Sequence, residues 1–222
     1  GAEGERVSVR ILVGHVLERL AELPDESVHC VVTSPPYLGL RNYKLPPIVW
    51  GGDPKCAHVF GDNLPNAKRG KRGISGQGGN YRSRASDNGT ASGAGDAGAF
   101  CRCNAWRGSL GLEPTVELYI EHIVQIFREV RRVLRSDGVL WLNMGDSYAS
   151  TPNGRSAADT KAAGNDDRTF RDKPMSTVGG AIKAKDLMEM PSAVVQALRA
   201  DGWRLRSRMP WVKRNSMPES IT

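Results

Sequence analysis

Two apolar runs rich in β-branched residues, 7–13 (VSVRILV) and 28–33 (VHCVVT), flank one short helical stretch. Apolar runs this short, bounded by turn residues, predict buried strands. Gly14 and His15 turn the first run into a helix over 16–22, and Leu23, Pro24 and Asp25 end that helix. Pro35 and Pro36 stop the second run. Strand, helix and strand within about 27 residues predict a βαβ unit, the crossover that parallel neighbours require. A longer helix comes next. Val116, Ile120, Ile123, Phe127, Val130 and Leu134 recur at spacings of three and four, flanked by Arg128, Glu129, Arg131 and Arg132. Pro114 stands near its start and Asp137-Gly138 at its end. Residues 139–144 (VLWLNM) then predict a strand buried on both faces. Another helix is expected from near Pro191 to Asp201-Gly202. After it, Trp203, Leu205, Ser207, Met209 and Trp211 alternate with Arg204, Arg206, Arg208 and Pro210, the period of a half-exposed strand. The expected fold class is α/β, with a mostly parallel sheet of at least four strands.

Two stretches break this regularity. Ten of the 25 glycines fall within 61–99, together with Lys68, Arg69, Lys71, Arg72, Arg82 and Arg84. Such a stretch has too little apolar surface to offset its ordering entropy, so it reads as a mobile basic loop. A polar stretch at about 150–181 reads the same way. The formal net charge of +7 permits a nucleic-acid partner, and a solvated surface accounts for it equally well. The three arginines of 204–208 are open to the same two readings. No apolar run approaches the roughly 18 residues of a membrane span.

The sharpest chemical feature is Thr33-Ser34-Pro35-Pro36-Tyr37, directly after a predicted strand. Ligands of open parallel sheets bind at the carboxyl ends of strands. The prolines stiffen the backbone there. That sets the Pro35 carbonyl beside the Ser34 hydroxyl and the flat ring of Tyr37. Two acceptors and a stacking surface suit an exocyclic amino group on a nucleobase. The amine lone pair is delocalised into the ring. Acceptors on both N–H groups draw the nitrogen toward tetrahedral geometry and free that pair for an electrophilic methyl. In duplex DNA the base must first be flipped out, at a few kcal/mol. An ordinary Pro-Pro turn fits the pentapeptide alone as well.

The pentapeptide resembles the catalytic motif of DNA methyltransferases that modify cytosine N4 or adenine N6. Residues 14–37 are similar to that family's strand, Gly-Asp, helix, Leu-Pro-Asp, strand and Ser-Pro-Pro-Tyr entry. Residues 108–115 (GSLGLEPT) resemble its lead-in to the long helix, and 141–148 (WLNMGDSY) its next strand and loop. Lys185-Asp186-Leu187, Asp201-Gly202-Trp203 and 211–220 (WVKRNSMPES) match the family's succeeding segment. The resemblance implies a Rossmann-like S-adenosylmethionine-dependent methyltransferase fold, here incomplete. It implies Ser34, Pro35, Pro36 and Tyr37 as catalytic residues, double-stranded DNA as partner, and a cytoplasmic protein of a prokaryote or phage. Serine at the first motif position is commoner among cytosine N4 enzymes. Gly14 and His15 stand where the family has Gly-Asp, a cofactor contact. No Phe-x-Gly-x-Gly turn is present, and in this motif order that cofactor loop comes later. The chain, 1–222, therefore reads as the N-terminal catalytic part of a longer enzyme, binding S-adenosylmethionine weakly or not at all by itself. A missing C-terminal half or a second chain would supply the cofactor residues.

Cys56 and His58, with Cys101 and Cys103, form a second candidate site. Three thiols and an imidazole suit tetrahedral zinc, although each pair has one intervening residue rather than two to four. Reduced, unligated thiols are the other reading. Cys30 is expected in the core, and His29 and His122 in structural roles. Asn143 and Asp146 come after a predicted strand at the same sheet edge, either lining a base pocket or making an Asx turn. Lys213 and Arg214 are candidate phosphate contacts or plain exposed charge. The expected function is a site-specific DNA methyltransferase, cytosine N4 favoured over adenine N6. The alternatives are a non-catalytic DNA-binding fragment or half-enzyme, and an α/β interaction domain with a zinc staple.

Overall fold

A computed structural model of the chain describes residues 8–60, 99–149, 177–178, 182–212 and 214. The expected loops at 61–99 and 150–181 lie outside the described residues, apart from Ala99, Thr177 and Val178, and so does Lys213.

The elements run α1 (Val16–Ala21), β1 (Val28–Thr33), β2 (Ile48–Trp50), β3 (Ala99–Phe100), β4 (Trp106–Gly108), α2 (Val116–Val133), β5 (Leu134–Leu142) and α3 (Met190–Ala200). Thr115 opens α2, its hydroxyl accepting from the Leu118 N–H at 3.2 Å. The helix passes straight into β5, so Leu134 is the first residue of the strand. Asp137-Gly138 lies inside β5, where the register with β1 shifts between Val28 and Cys30.

β1 and β5 pair in parallel, with Cys30 opposite Val139, Val31 opposite Leu140 and Val32 opposite Trp141. β4 sits between β2 and β3 in a separate antiparallel sheet. Parallel pairing among the described residues is thus confined to one pair, a narrower sheet than the four or more strands expected.

The pair is covered on one side. Val31, Leu140 and Leu142 pack on the core. Their neighbours on the opposite face are open, with Val32 76% and Val139 and Trp141 each 50% exposed. Residues 139–142 are therefore buried on one face, not two, and Cys30 is exposed rather than in the core. Residues 8–13 form no strand. They have no hydrogen-bonded strand partner among the described residues, and Val9, Ile11 and Val13 are more than 80% exposed. Residues 203–211 likewise form no strand, and Leu205, Met209 and Trp211 face solvent. Period-two alternation marks a segment able to pair, but pairing itself needs a neighbouring edge.

The core centres on α2. Tyr119, Ile123, Phe127 and Val130 pack with Met190, Val194 and Leu198 of α3 and with Trp50 and Trp106 of the antiparallel sheet. Each such side chain contributes about 1.5–3 kcal/mol by leaving water.

Candidate functional site

The Ser34–Tyr37 segment leaves the carboxyl end of β1. The Asn143 N–H donates to the Thr33 carbonyl at 2.9 Å, which holds the loop after β5 alongside. Ser34 is exposed, while Pro35, Pro36 and Tyr37 are half-buried. Ser34 Oγ lies 3.2 Å from the Tyr37 hydroxyl. A serine oxygen has two lone pairs, so this contact leaves acceptor capacity for a further donor.

The two proline carbonyls differ. The Pro36 carbonyl accepts from the Tyr119 hydroxyl at 2.8 Å. No donor among the described residues reaches the Pro35 carbonyl. Burial pushes the Tyr119 hydroxyl well above its ordinary pKa, with the Glu113 carboxylate and Tyr37 adding to it. It therefore stays a proton donor across the accessible pH range.

Behind the loop lies a buried polar chain. The Gly39 N–H donates to the Gly111 carbonyl at 2.8 Å, and the Gly111 N–H donates to Glu113 Oε2 at 2.8 Å. Glu113 Oε1 lies 2.9 Å from His122 Nδ1, and both side chains are almost wholly inaccessible. Trp50 stacks on His122 at 4.3 Å and Trp106 at 5.3 Å. Gly111 takes φ +90, and a Cβ there would stand 3.1 Å from both the Pro36 side chain and the Tyr37 carbonyl. Gly145 lies against the Tyr37 ring, where a Cβ would come within 2.9 Å of Cε2. Sequence reading missed Tyr119, Glu113 and the role of Gly145, and saw His122 only as structural. The available signal was two polar side chains, at 119 and 122, on the apolar face of α2.

Asp146 is committed to a local task. Its Oδ1 accepts from the Ser147 N–H at 2.9 Å and the Met190 N–H at 3.2 Å, which anchors the first residue of α3. Asn143 and Asp146 are exposed beside the loop, and Arg214 is exposed at the far end of the described chain. Gly14 and His15 stand at the start of α1. His15 Nδ1 accepts from the Leu17 N–H at 3.4 Å and its ring edge meets Trp50 at 5.2 Å. Burial pushes the His15 imidazole below its usual pKa, against the opposing pull of Glu18. The other candidate residues do converge. The ligand atoms of Cys56, His58, Cys101 and Cys103 all lie within 4.8 Å of one another. Backbone N–H groups hold two of these thiols below their ordinary pKa, the Cys103 N–H donating to Cys101 and the Ala105 N–H to Cys103. Cys56 moves up: the His58 N–H pulls it down, but hydrogen bonds with the Cys101 and Cys103 thiols and burial outweigh that.

Among the described residues no helix is long and apolar enough to cross a membrane. No solved structure matches the chain. The chain is 36% identical over 208 residues to the Type II methyltransferase M.XycI of Xanthomonas campestris pv. cyanopsidis. It is 33% identical over 208 residues to M.Cfr9I of Citrobacter freundii and 33% over 214 residues to M.SmaI of Serratia marcescens. These alignments cover 94–96% of the chain and 47–51% of the relatives, so the chain spans about half their length. The family profile N6_N4_Mtase, described as DNA methylase, matches residues 28–222, from β1 through the whole of the site. The chain belongs to this DNA methylase family.

Proposed function

We propose that the chain carries the base-binding and amine-orienting part of a site-specific DNA methyltransferase, with cytosine N4 as the preferred target and adenine N6 second. The observation that carries this is the asymmetry of the proline carbonyls. Tyr119 ties off the Pro36 carbonyl, while the Pro35 carbonyl and Ser34 Oγ remain as acceptors at the end of β1. A flipped base stacked on Tyr37 would donate its two amine hydrogens to them. The nitrogen would then turn from planar toward tetrahedral and expose its lone pair. S-adenosylmethionine is the donor in this reading and supplies an electrophilic methyl group. After transfer the nitrogen is cationic and sheds its proton without a strong base, which suits a serine. The Rossmann-like completion of the fold belongs to the same proposal, as does double-stranded DNA as the partner. The preference for cytosine N4 rests on Ser34 at the first position of the motif.

The test is methyl transfer to duplex DNA by the complete gene product that contains this chain, with nucleoside mass spectrometry. N4-methylcytosine is expected. Ser34→Ala and Tyr37→Ala are each expected to lower kcat by 100-fold or more, roughly, with the circular dichroism spectrum unchanged. Normal methylation by either variant removes the assigned roles. The engagement of His15 in the α1 cap favours a second reading, a half-enzyme whose cofactor residues come from another segment or chain. Calorimetry of the complete gene product with S-adenosylmethionine separates the two, since a half-enzyme that depends on a second chain shows no binding until that chain is added.

A further inference from the structure

We propose that Cys56, His58, Cys101 and Cys103 form a closed structural zinc site that joins the chain before residue 61 to the β3–β4 hairpin. Such a site is distinct from methyl transfer and does not depend on it.

The distances fit one ion. Cys56 Sγ and Cys101 Sγ are 3.7 Å apart, and Cys103 Sγ and His58 Nδ1 are 3.3 Å apart. Tetrahedral zinc, with Zn–S about 2.3 Å and Zn–N about 2.0–2.1 Å, requires S···S edges of about 3.8 Å and S···N edges of about 3.6 Å. The remaining separations are all within 4.8 Å, so the four atoms lie in one cluster. A disulfide needs sulfurs about 2.05 Å apart, so Cys56 and Cys101 stand at the separation of shared ligands instead. The His58 ring presents Nδ1 to the cluster, which assigns that nitrogen as the ligand.

The surroundings suit metal-bound thiolates. The His58 N–H points at Cys56 Sγ from 3.4 Å. Peptide N–H groups aimed at sulfur stabilise negative charge there and orient the ligands. Short bends bring the pairs round despite their single intervening residues. His58 has φ +43 and Asn104 φ +65, and the Asn104 N–H closes a turn onto the Cys101 carbonyl at 3.1 Å.

The four side chains stand in a small cluster of their own. Among the described residues Phe60, Cys101 and Ala105 are its buried members, with Cys56, Ala99 and Cys103 packed against them. Three soft thiolates and an imidazole select zinc over magnesium or calcium. Four protein ligands leave no open position, so the role is structural. The site also connects to the Ser34–Tyr37 loop through continuous backbone. β4 leads directly from Ala105 to Gly108, and Gly111 then packs on Pro36.

The experiment is zinc content by mass spectrometry on protein purified under reducing conditions, with X-ray absorption at the zinc edge and cobalt(II) substitution. About one zinc per chain is expected, in a shell of three sulfurs and one nitrogen, and cobalt should give the visible spectrum of a tetrahedral thiolate site. Cys101→Ser and Cys103→Ser should each weaken metal binding by roughly 100-fold or more, while Cys30→Ser binds as wild type. Because cysteine variants can misfold, the wild-type measurements decide independently. Zinc below about a tenth of an equivalent after reconstitution, an oxygen-rich shell, or a Cys56–Cys101 disulfide in the reduced preparation would overturn the proposal.

Discussion

Tyr119 supports the reactive loop from beneath. Its hydroxyl reaches a carbonyl 83 residues away in sequence, at Pro36, and its pKa, raised by burial, keeps it a donor. Tyr119→Phe keeps the ring in its packed position and removes only that hydrogen bond. The expected cost in stability is about 1 kcal/mol, the net worth of one such bond. The cost in rate should be larger, about tenfold or more in kcat, because a freed Pro36 lets the Pro35 carbonyl drift from its pointing direction. Chemical denaturation and single-turnover methyl transfer measure the two separately. A variant with full rate and reduced stability confines Tyr119 to packing. Glu113 and His122 serve the same loop from one step further back, through Gly111. The sequence motif displayed the residues proposed to face a substrate. It was silent on those that hold the loop, since a polar side chain on a helix gives no sign of which distant carbonyl it will meet.

At the level of elements, α2 acts as the spine to which the others are tied by arginines. Arg132 donates to the Leu20 and Leu23 carbonyls at the end of α1, at 2.8 and 3.1 Å, and pairs with Glu129 and Asp25. Arg128 reaches Asp201 at the end of α3 at 2.6 Å. α1 also depends on its start. His15 caps the Leu17 N–H through Nδ1, a task that needs the neutral ring. Burial lowers the folded-state pKa of His15 below the unfolded value of 6.5. The unfolded chain therefore binds the proton more readily. The capping contribution is fully present above that pH and is lost as pH falls from there through the folded pKa. Melting temperature should decline across that window more steeply in the wild type than in His15→Asn, which caps without titrating there. Equal pH profiles would show that the cap does not titrate. Element boundaries of this kind were legible because their signals are local: Pro24, Pro114, Pro191 and Gly202 act within one turn. The strands expected over 7–13 and 203–211 were not, because a strand exists only when another edge accepts its hydrogen bonds. The same limit hid the fate of Leu134, which the helical spacing claimed and the parallel pairing with Val28 took.

At the scale of the described molecule, the antiparallel sheet meets α2 at the buried Trp50, His122 and Trp106 stack, and the Ser34–Tyr37 loop leaves the end of the parallel pair. Cys56 and Cys101, 45 residues apart, close the antiparallel side. The candidate residues of both sites were readable as types. Their grouping was readable too: the pentapeptide's members are consecutive, and the expected set of Cys56, His58, Cys101 and Cys103 does converge, although its spacing does not say how the intervening chain returns. The open face of the β1–β5 pair sets the fourth thiol apart from the other three. Cys30 lies there beside Val32, opposite Val139, exposed and, among the described residues, outside the cluster of the other three. With metal in place, brief alkylation followed by peptide mapping should put the adduct on Cys30 alone, and a chelator should then release the other three. Even labelling of all four thiols before chelation would contradict this. A fluorophore placed at Cys30 would consequently make that face a built-in gauge. Its emission would change whenever another polypeptide segment settles over the strands, at a position remote from both the metal ligands and the serine hydroxyl.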